Sequence, residues 1–107
     1  MILVRTVLGE QLRSRRLAQR RTLRDVSGRA RVSLGYLSEV ERGQKEASSE
    51  LLVSICAALE VPLSAVLHGV SEDLALAELL AGGRPEIAEP DRVSIEIAPD
   101  VPVDLAA

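Results

Sequence analysis

The chain has no tryptophan, no phenylalanine and no asparagine, and only one tyrosine (Tyr36), one histidine (His68) and one cysteine (Cys56). Each shortage excludes something. A single cysteine closes no internal disulfide, and the helical spacing of Cys56 from Leu52 and Leu59 suits a small buried apolar group better than a reactive thiol. One histidine with no second ligand at a useful spacing builds no metal centre, so His68 is read as complementing a helix C-terminus. Without a nucleophile elbow, a phosphate-cradling glycine loop or paired ligands, neither an enzyme nor a cofactor is expected. Binding of single-stranded nucleic acid calls for stacking aromatics, which Tyr36 alone does not supply. No apolar run approaches the ~18 residues of a membrane span, and Arg5 interrupts the apolar start Met1 to Val4 too early for a signal peptide. The expectation is therefore a cytoplasmic chain with no membrane partner, in which 107 residues make one small domain and a tail. Its core is built from Leu, Val, Ile and Ala, and so small a core gains from self-association.

The net charge of −3 conceals an asymmetry. Residues 1–46 carry ten Arg and one Lys against five acids, a net +6, whereas residues 47–107 carry two Arg against eleven acids, a net −9. This suggests a basic working face on the first half and an acidic remainder that discourages indiscriminate polyanion binding.

The stretch Thr22 to Gly43 organises the chain. Thr22 followed three residues later by Asp25 has the spacing of a capping box and starts a helix, along which Leu23, Val26 and Ala30 recur at helical intervals. Ser27 is small enough to admit a neighbouring backbone. Val32 closes a turn, Ser33 caps a second short helix, Leu37 and Val40 form its inward stripe, and Gly43 stops it. Its outward residues are Gly35, Tyr36, Ser38, Glu39 and Arg42. Upstream, Leu3, Val7, Leu8 and Leu12 set the apolar face of a first helix over residues 3 to about 19, with a basic end. Downstream, Ser48 caps a helix with Leu51, Leu52, Ile55, Cys56 and Leu59 inside. Pro62 opens a short fifth helix that ends at His68-Gly69.

Val32-Ser33, Tyr36-Leu37-Ser38 and Glu41-Arg42-Gly43 together resemble the helix-turn-helix of the XRE family, the phage-repressor-like DNA-binding proteins. The likeness covers roughly residues 5 to 69 and implies an all-α fold: a five-helix repressor-like domain over residues 1–69 with its second short helix in the DNA major groove. It also implies a partly buried ion pair between Arg16 and Glu41 that locks the first helix to the reading helix. Two positions depart from the family pattern. Leu23 stands where a Gln often clamps the DNA backbone, leaving Arg24 to replace it. Arg31 stands where the family often has a Gly of positive φ, a strain of about 1 kcal/mol set against a charge near the phosphates. Among reading residues, Leu34 suits a thymine methyl and Glu39 a cytosine amino group, while Ser33 and Ser38 pair with several bases and Gly35 lies on the same face. Arg42, Gln44 and Lys45 follow as phosphate contacts. Tyr36 is read as a phosphate or base-edge contact, ahead of a second reading as the lone core aromatic.

Ser71 is expected to cap a sixth helix over residues 70–83. Its leucines are too many for one side of a surface helix, so it packs inward, supplies a dimer contact through Leu74, Ala77 and Leu80, or does both. A symmetric dimer would set two reading helices about one DNA turn apart, ~34 Å, on a palindromic operator. Residues 84–107 hold Pro85, Pro90, Pro99 and Pro102 among scattered acids and read as a flexible tail, with an edge strand over Val93, Ile95 and Ile97 as the alternative.

Taken together, the helix-turn-helix, the length and the run Leu105-Ala106-Ala107 are similar to the small XRE-type activators of Clp protease genes in actinobacteria. That resemblance implies a homodimeric activator of Clp protease and stress genes, with RNA polymerase among its possible partners. It also implies a degron, Leu105, Ala106 and Ala107, through which the Clp protease removes the regulator. The competing reading is an antitoxin-like autorepressor whose tail wraps a protein partner through Val93, Ile95 and Ile97.

Overall fold

The computed structural model describes residues 2–82. The proline-bearing segment, the alternating Val93, Ile95 and Ile97, and Leu105, Ala106 and Ala107 lie outside the described residues. The chain divides into two units, Met1–Ala77 and Glu78–Ala107, and the helix-turn-helix belongs wholly to the first. Among the described residues there are five helices and no strand: α1 (Val4–Ala18), α2 (Leu23–Ala30), α3 (Leu34–Glu41), α4 (Ser49–Ala58) and α5 (Leu63–Leu80).

Short polar caps start three of them. The hydroxyls of Thr22, Ser33 and Ser48 accept the backbone N–H groups of Asp25, Tyr36 and Leu51 at 3.0, 3.0 and 3.2 Å, each satisfying one donor that a helix start leaves free. At α2 the Asp25 carboxylate turns to Arg29, 3.6 Å away. The ends are equally regular. Arg20, Arg31 and Glu60 take left-handed backbone angles, φ 58°, 60° and 58°, and Gly43 does so at 77°. In each case the next N–H reaches back over the turn: Arg21 to Arg16 O, Val32 to Ser27 O, Gln44 to Glu39 O and Val61 to Cys56 O, all at 2.9–3.1 Å. This Schellman-type closure satisfies terminal carbonyls, and at the three non-glycine positions it offsets a left-handed strain of about 1–2 kcal/mol. Arg31 thus holds the turn conformation that a glycine would adopt without strain.

Leu12 from α1, Leu37 from α3, Ile55 from α4 and Val66 from α5 are fully buried and meet with Val26, Val40 and Leu59 in one aliphatic core. The helix α2 packs on α3 and α4, and α1 packs on α3. The last contact is close because Gly9 has no side chain: a Cβ there would meet the carbonyl oxygen of Val40, and would lie 2.6 Å from that of Glu41. The helices α4 and α5 meet at 103°. Among the described residues no single helix is long and apolar enough to cross a membrane.

One expected boundary is absent. The fifth and sixth helices of the sequence reading are a single helix, α5, which runs through His68-Gly69 and Ser71. Gly69 serves close approach rather than termination: a Cβ on it would collide with the side chain of Gln11, 2.6 Å from its Cδ. The Gln11 amide lies over this gap and donates to Asp73 at 2.8 Å, while Arg15 donates to Ala65 O at 3.2 Å, so α1 grips α5 on both sides of the glycine. Gly69 does not have a positive φ; the chain takes one at Gly82, 90°, after α5 has ended.

Candidate nucleic-acid interface

The helix α3 is fixed from behind by a buried ion pair. Arg16 donates through Nε and Nη2 to the two carboxylate oxygens of Glu41 at 2.8 and 2.9 Å, and through Nη1 to Arg21 O at 3.0 Å. Both side chains are nearly excluded from solvent, 11% and 6% exposed. The hydrogen-bonded Glu41 carboxylate raises the Arg16 pKa above its ordinary value, outweighing the desolvation that acts against the charge. Glu41 is the last residue of α3 and Arg16 lies in the last turn of α1, so the pair ties the ends of the two helices together.

The opposite side of α3 is open. Ser33, Leu34 and Gly35 are exposed at its start, and Ser38 and Glu39 are half-buried one turn on. Nothing lies within 4 Å of where a Gly35 Cβ would sit, so the protein's own packing does not demand a glycine there. Beyond the helix, Arg42 donates to the Ser38 hydroxyl and, at 3.3 Å, to the Gln44 side-chain oxygen. Arg42, Gln44 and Lys45 are all exposed, as are Arg24 and Arg31 on the neighbouring helix and turn. Among the described residues Arg24, Arg31 and Lys45 make no ion pair.

Tyr36 stands differently from the rest. It is half-buried against the core and its phenol donates to Glu46 O at 3.1 Å, bracing the loop that follows α3. This packing matches the second of the two readings of Tyr36, as the lone core aromatic, and leaves its ring partly open to the outer face. Other arginines that the charge pattern counted towards the basic face are likewise engaged by the protein. Arg21 donates to Ala58 O at 2.8 Å and lies 3.5 Å from Glu60, and Gln19 donates to Leu59 O at 2.7 Å; together they cap the end of α4. Arg5 donates to Gly43 O at 2.8 Å. Cys56 is buried, and burial pushes its thiol pKa up, away from the reactive thiolate.

A helix of this size with small and polar residues on its open side matches the width of the B-DNA major groove, where each base pair presents a distinct set of donors and acceptors. Comparison with known proteins agrees. Residues 7–74 match a family model described as a helix-turn-helix domain. The transcriptional regulator ClgR of Mycobacterium tuberculosis (strain H37Rv) is 60% identical over 83 residues, 78% of this chain and 74% of the relative. The chain belongs to the ClgR family of helix-turn-helix transcriptional regulators. The crystal structure of the clp gene regulator ClgR from Corynebacterium glutamicum superposes with a TM-score of 0.72 at 46% identity, over 76% of this chain and 86% of that one. The restriction-modification controller protein C.AhdI from Aeromonas hydrophila shares the fold at a TM-score of 0.57 and 22% identity, over 58% of this chain and 94% of that one. Within the ClgR family, the helix-turn-helix α2–α3 is the DNA-binding element, and the ion pair and caps described above are what hold it in shape.

Proposed function

We propose that this ClgR-family regulator binds palindromic duplex DNA in the cytoplasm as a homodimer, with α3 in the major groove, and that it activates Clp protease and stress genes. The observation that carries the DNA reading is the juxtaposition of an open α3 face with exposed cations on both sides that make no ion pair among the described residues. Ser33, Leu34, Gly35, Ser38 and Glu39 face base edges, with Arg42 and Gln44 completing the face at its far end. Arg24, Arg31 and Lys45 sit against phosphates, and Tyr36 braces the loop between them. The dimer uses α5: Leu74 and Ala77 are half-buried and Leu80 is 78% exposed in the single chain, an apolar surface suited to a second copy.

Arg24→Ala and Lys45→Ala each weaken binding to every duplex sequence alike and lower the slope of log affinity against log salt by about 1. Filter-binding titrations at several salt concentrations check this, and unchanged slopes remove both residues from the contact list. The assignment to Clp genes rests on the likeness to a protein described as a clp gene regulator. Genome-wide footprinting supports it if bound sites cluster at Clp protease promoters and overturns it if they do not.

The reading extends to Leu105, Ala106 and Ala107 as the segment by which the Clp protease recognises and removes the regulator, and to RNA polymerase as the activator's target. Replacing Ala106 and Ala107 by Asp prolongs the protein's lifetime in a Clp-containing host and leaves DNA affinity unchanged. Equal half-lives in a pulse-chase discard the degron.

A further inference from the structure

At the C-terminal end of the open face, Arg42 touches two other candidate reading residues and no acid among the described residues. Its Nη1 donates to the Ser38 hydroxyl and its Nη2 to the Gln44 side-chain oxygen at 3.3 Å. A guanidinium carries N–H groups only, so both partners are forced to accept. The consequence for Gln44 is orientation: with its oxygen turned to Arg42, its NH2 group points away. The consequence for Ser38 is a spare proton. A helical serine commonly gives its proton to a carbonyl of the preceding turn, as Ser27 does to Arg24 O at 3.2 Å. Among the described residues Ser38 makes no such bond. Glu39, beside it, has no ion-pair partner among the described residues and presents an acceptor.

We infer that Arg42 is a positioning residue that sets the hydrogen-bonding polarity of this end of the face, turning Ser38 and Gln44 into donors for the N7 and O6 acceptors of a guanine edge. Glu39 then faces the N4 amino group of the paired cytosine, so that a G·C pair occupies this part of each half-site. The inference rests on α3 entering the major groove. It departs from the expectation that Arg42 and Gln44 hold phosphates, whose oxygens are acceptors of the same chemistry, and the two sources separate experimentally.

The test uses the full chain and duplexes it selects from a random pool. Gln44→Glu keeps an oxygen for Arg42 and removes the outward donors; Ser38→Ala removes the other donor; Arg42→Ala frees both. Each variant lowers the preference for G·C at one position by about tenfold, the discrimination typical of one base contact, with the salt slope unchanged. The unmodified chain loses the same preference when that guanine is replaced by 7-deazaguanine. The inference is overturned if Arg42→Ala weakens binding to all duplexes alike and lowers the salt slope by about 1, the signature of a phosphate contact. It is also overturned if 7-deazaguanine is tolerated everywhere, or if Ser38→Ala and Gln44→Glu leave the selected sequence unchanged. Failure of the unmodified chain to select any duplex would instead sink the DNA reading itself, and this inference with it.

Discussion

Glu41→Ala is expected to lower the stability of the folded chain by about 3–5 kcal/mol, a large fraction of the roughly 5–15 kcal/mol typical of a whole domain. The reason is the charge left behind. Arg16 is held 11% exposed, and its guanidinium cannot shed its proton to escape burial. Its remaining bond to Arg21 O satisfies one N–H group but neutralises nothing. Glu41→Gln, which keeps an acceptor without the charge, falls between the two. Replacing both partners by apolar residues of similar volume, Arg16→Met with Glu41→Leu, recovers most of the loss, since a buried pair roughly balances its own desolvation. The sign with pH follows from the raised Arg16 pKa: the contribution is fully present below the ordinary arginine value and fades only as pH rises through the still higher folded one. Arg16 therefore adds no pH dependence near neutrality. Urea denaturation midpoints check the series, and a Glu41→Ala loss below about 1 kcal/mol would class the pair with exposed surface bridges.

Gly9→Ala is the second large effect, and its direction opposes helix propensity. In an isolated helix the change gains about 1 kcal/mol. Here the new methyl group would meet the Val40 carbonyl oxygen and lie 2.6 and 2.9 Å from the oxygen and carbon of the Glu41 carbonyl, all of them backbone atoms that no rotamer change can move. The helix α1 must lift off α3, for a net loss of about 1–3 kcal/mol, and the shift also strains the nearby Arg16–Glu41 bonds. Operator affinity falls with stability because the same contact aims α3. Gly28→Ala is the control: nothing lies within 4 Å of its Cβ and its φ is ordinary, so it is neutral or gains several tenths of a kcal/mol. Thermal melts of the two variants that move in the same direction would refute the packing account.

These two positions show what the residue string discloses and what it withholds. Local signals were readable: Thr22, Ser33 and Ser48 at helix starts and the inward stripe of Leu37 and Val40 each depend on neighbours a few residues away, whereas the strained turn at Arg31 was reached through the family pattern. The Arg16–Glu41 pair spans 25 residues and was reached only through likeness to a family. Contacts made to backbone left no mark at all. Gly9 faces carbonyls of another helix, Arg21 and Gln19 close the end of α4, and Tyr36 meets Glu46 O, and a carbonyl looks the same in every residue. For the same reason the arithmetic of charge overstated the basic face, since Arg5, Arg15, Arg16 and Arg21 spend their donors within the protein. The continuity of α5 was hidden because Gly69 reads as a stop unless one knows that Gln11 lies against it.

Tyr36 carries one more consequence. With no tryptophan, no phenylalanine and no second tyrosine in the chain, all tyrosine fluorescence and all near-ultraviolet dichroism of such rings originate from a single phenol wedged between α3 and the loop at Glu46. The molecule therefore brings its own optical reporter, seated beside the surface proposed to meet the operator, and needs no attached dye to register an event there.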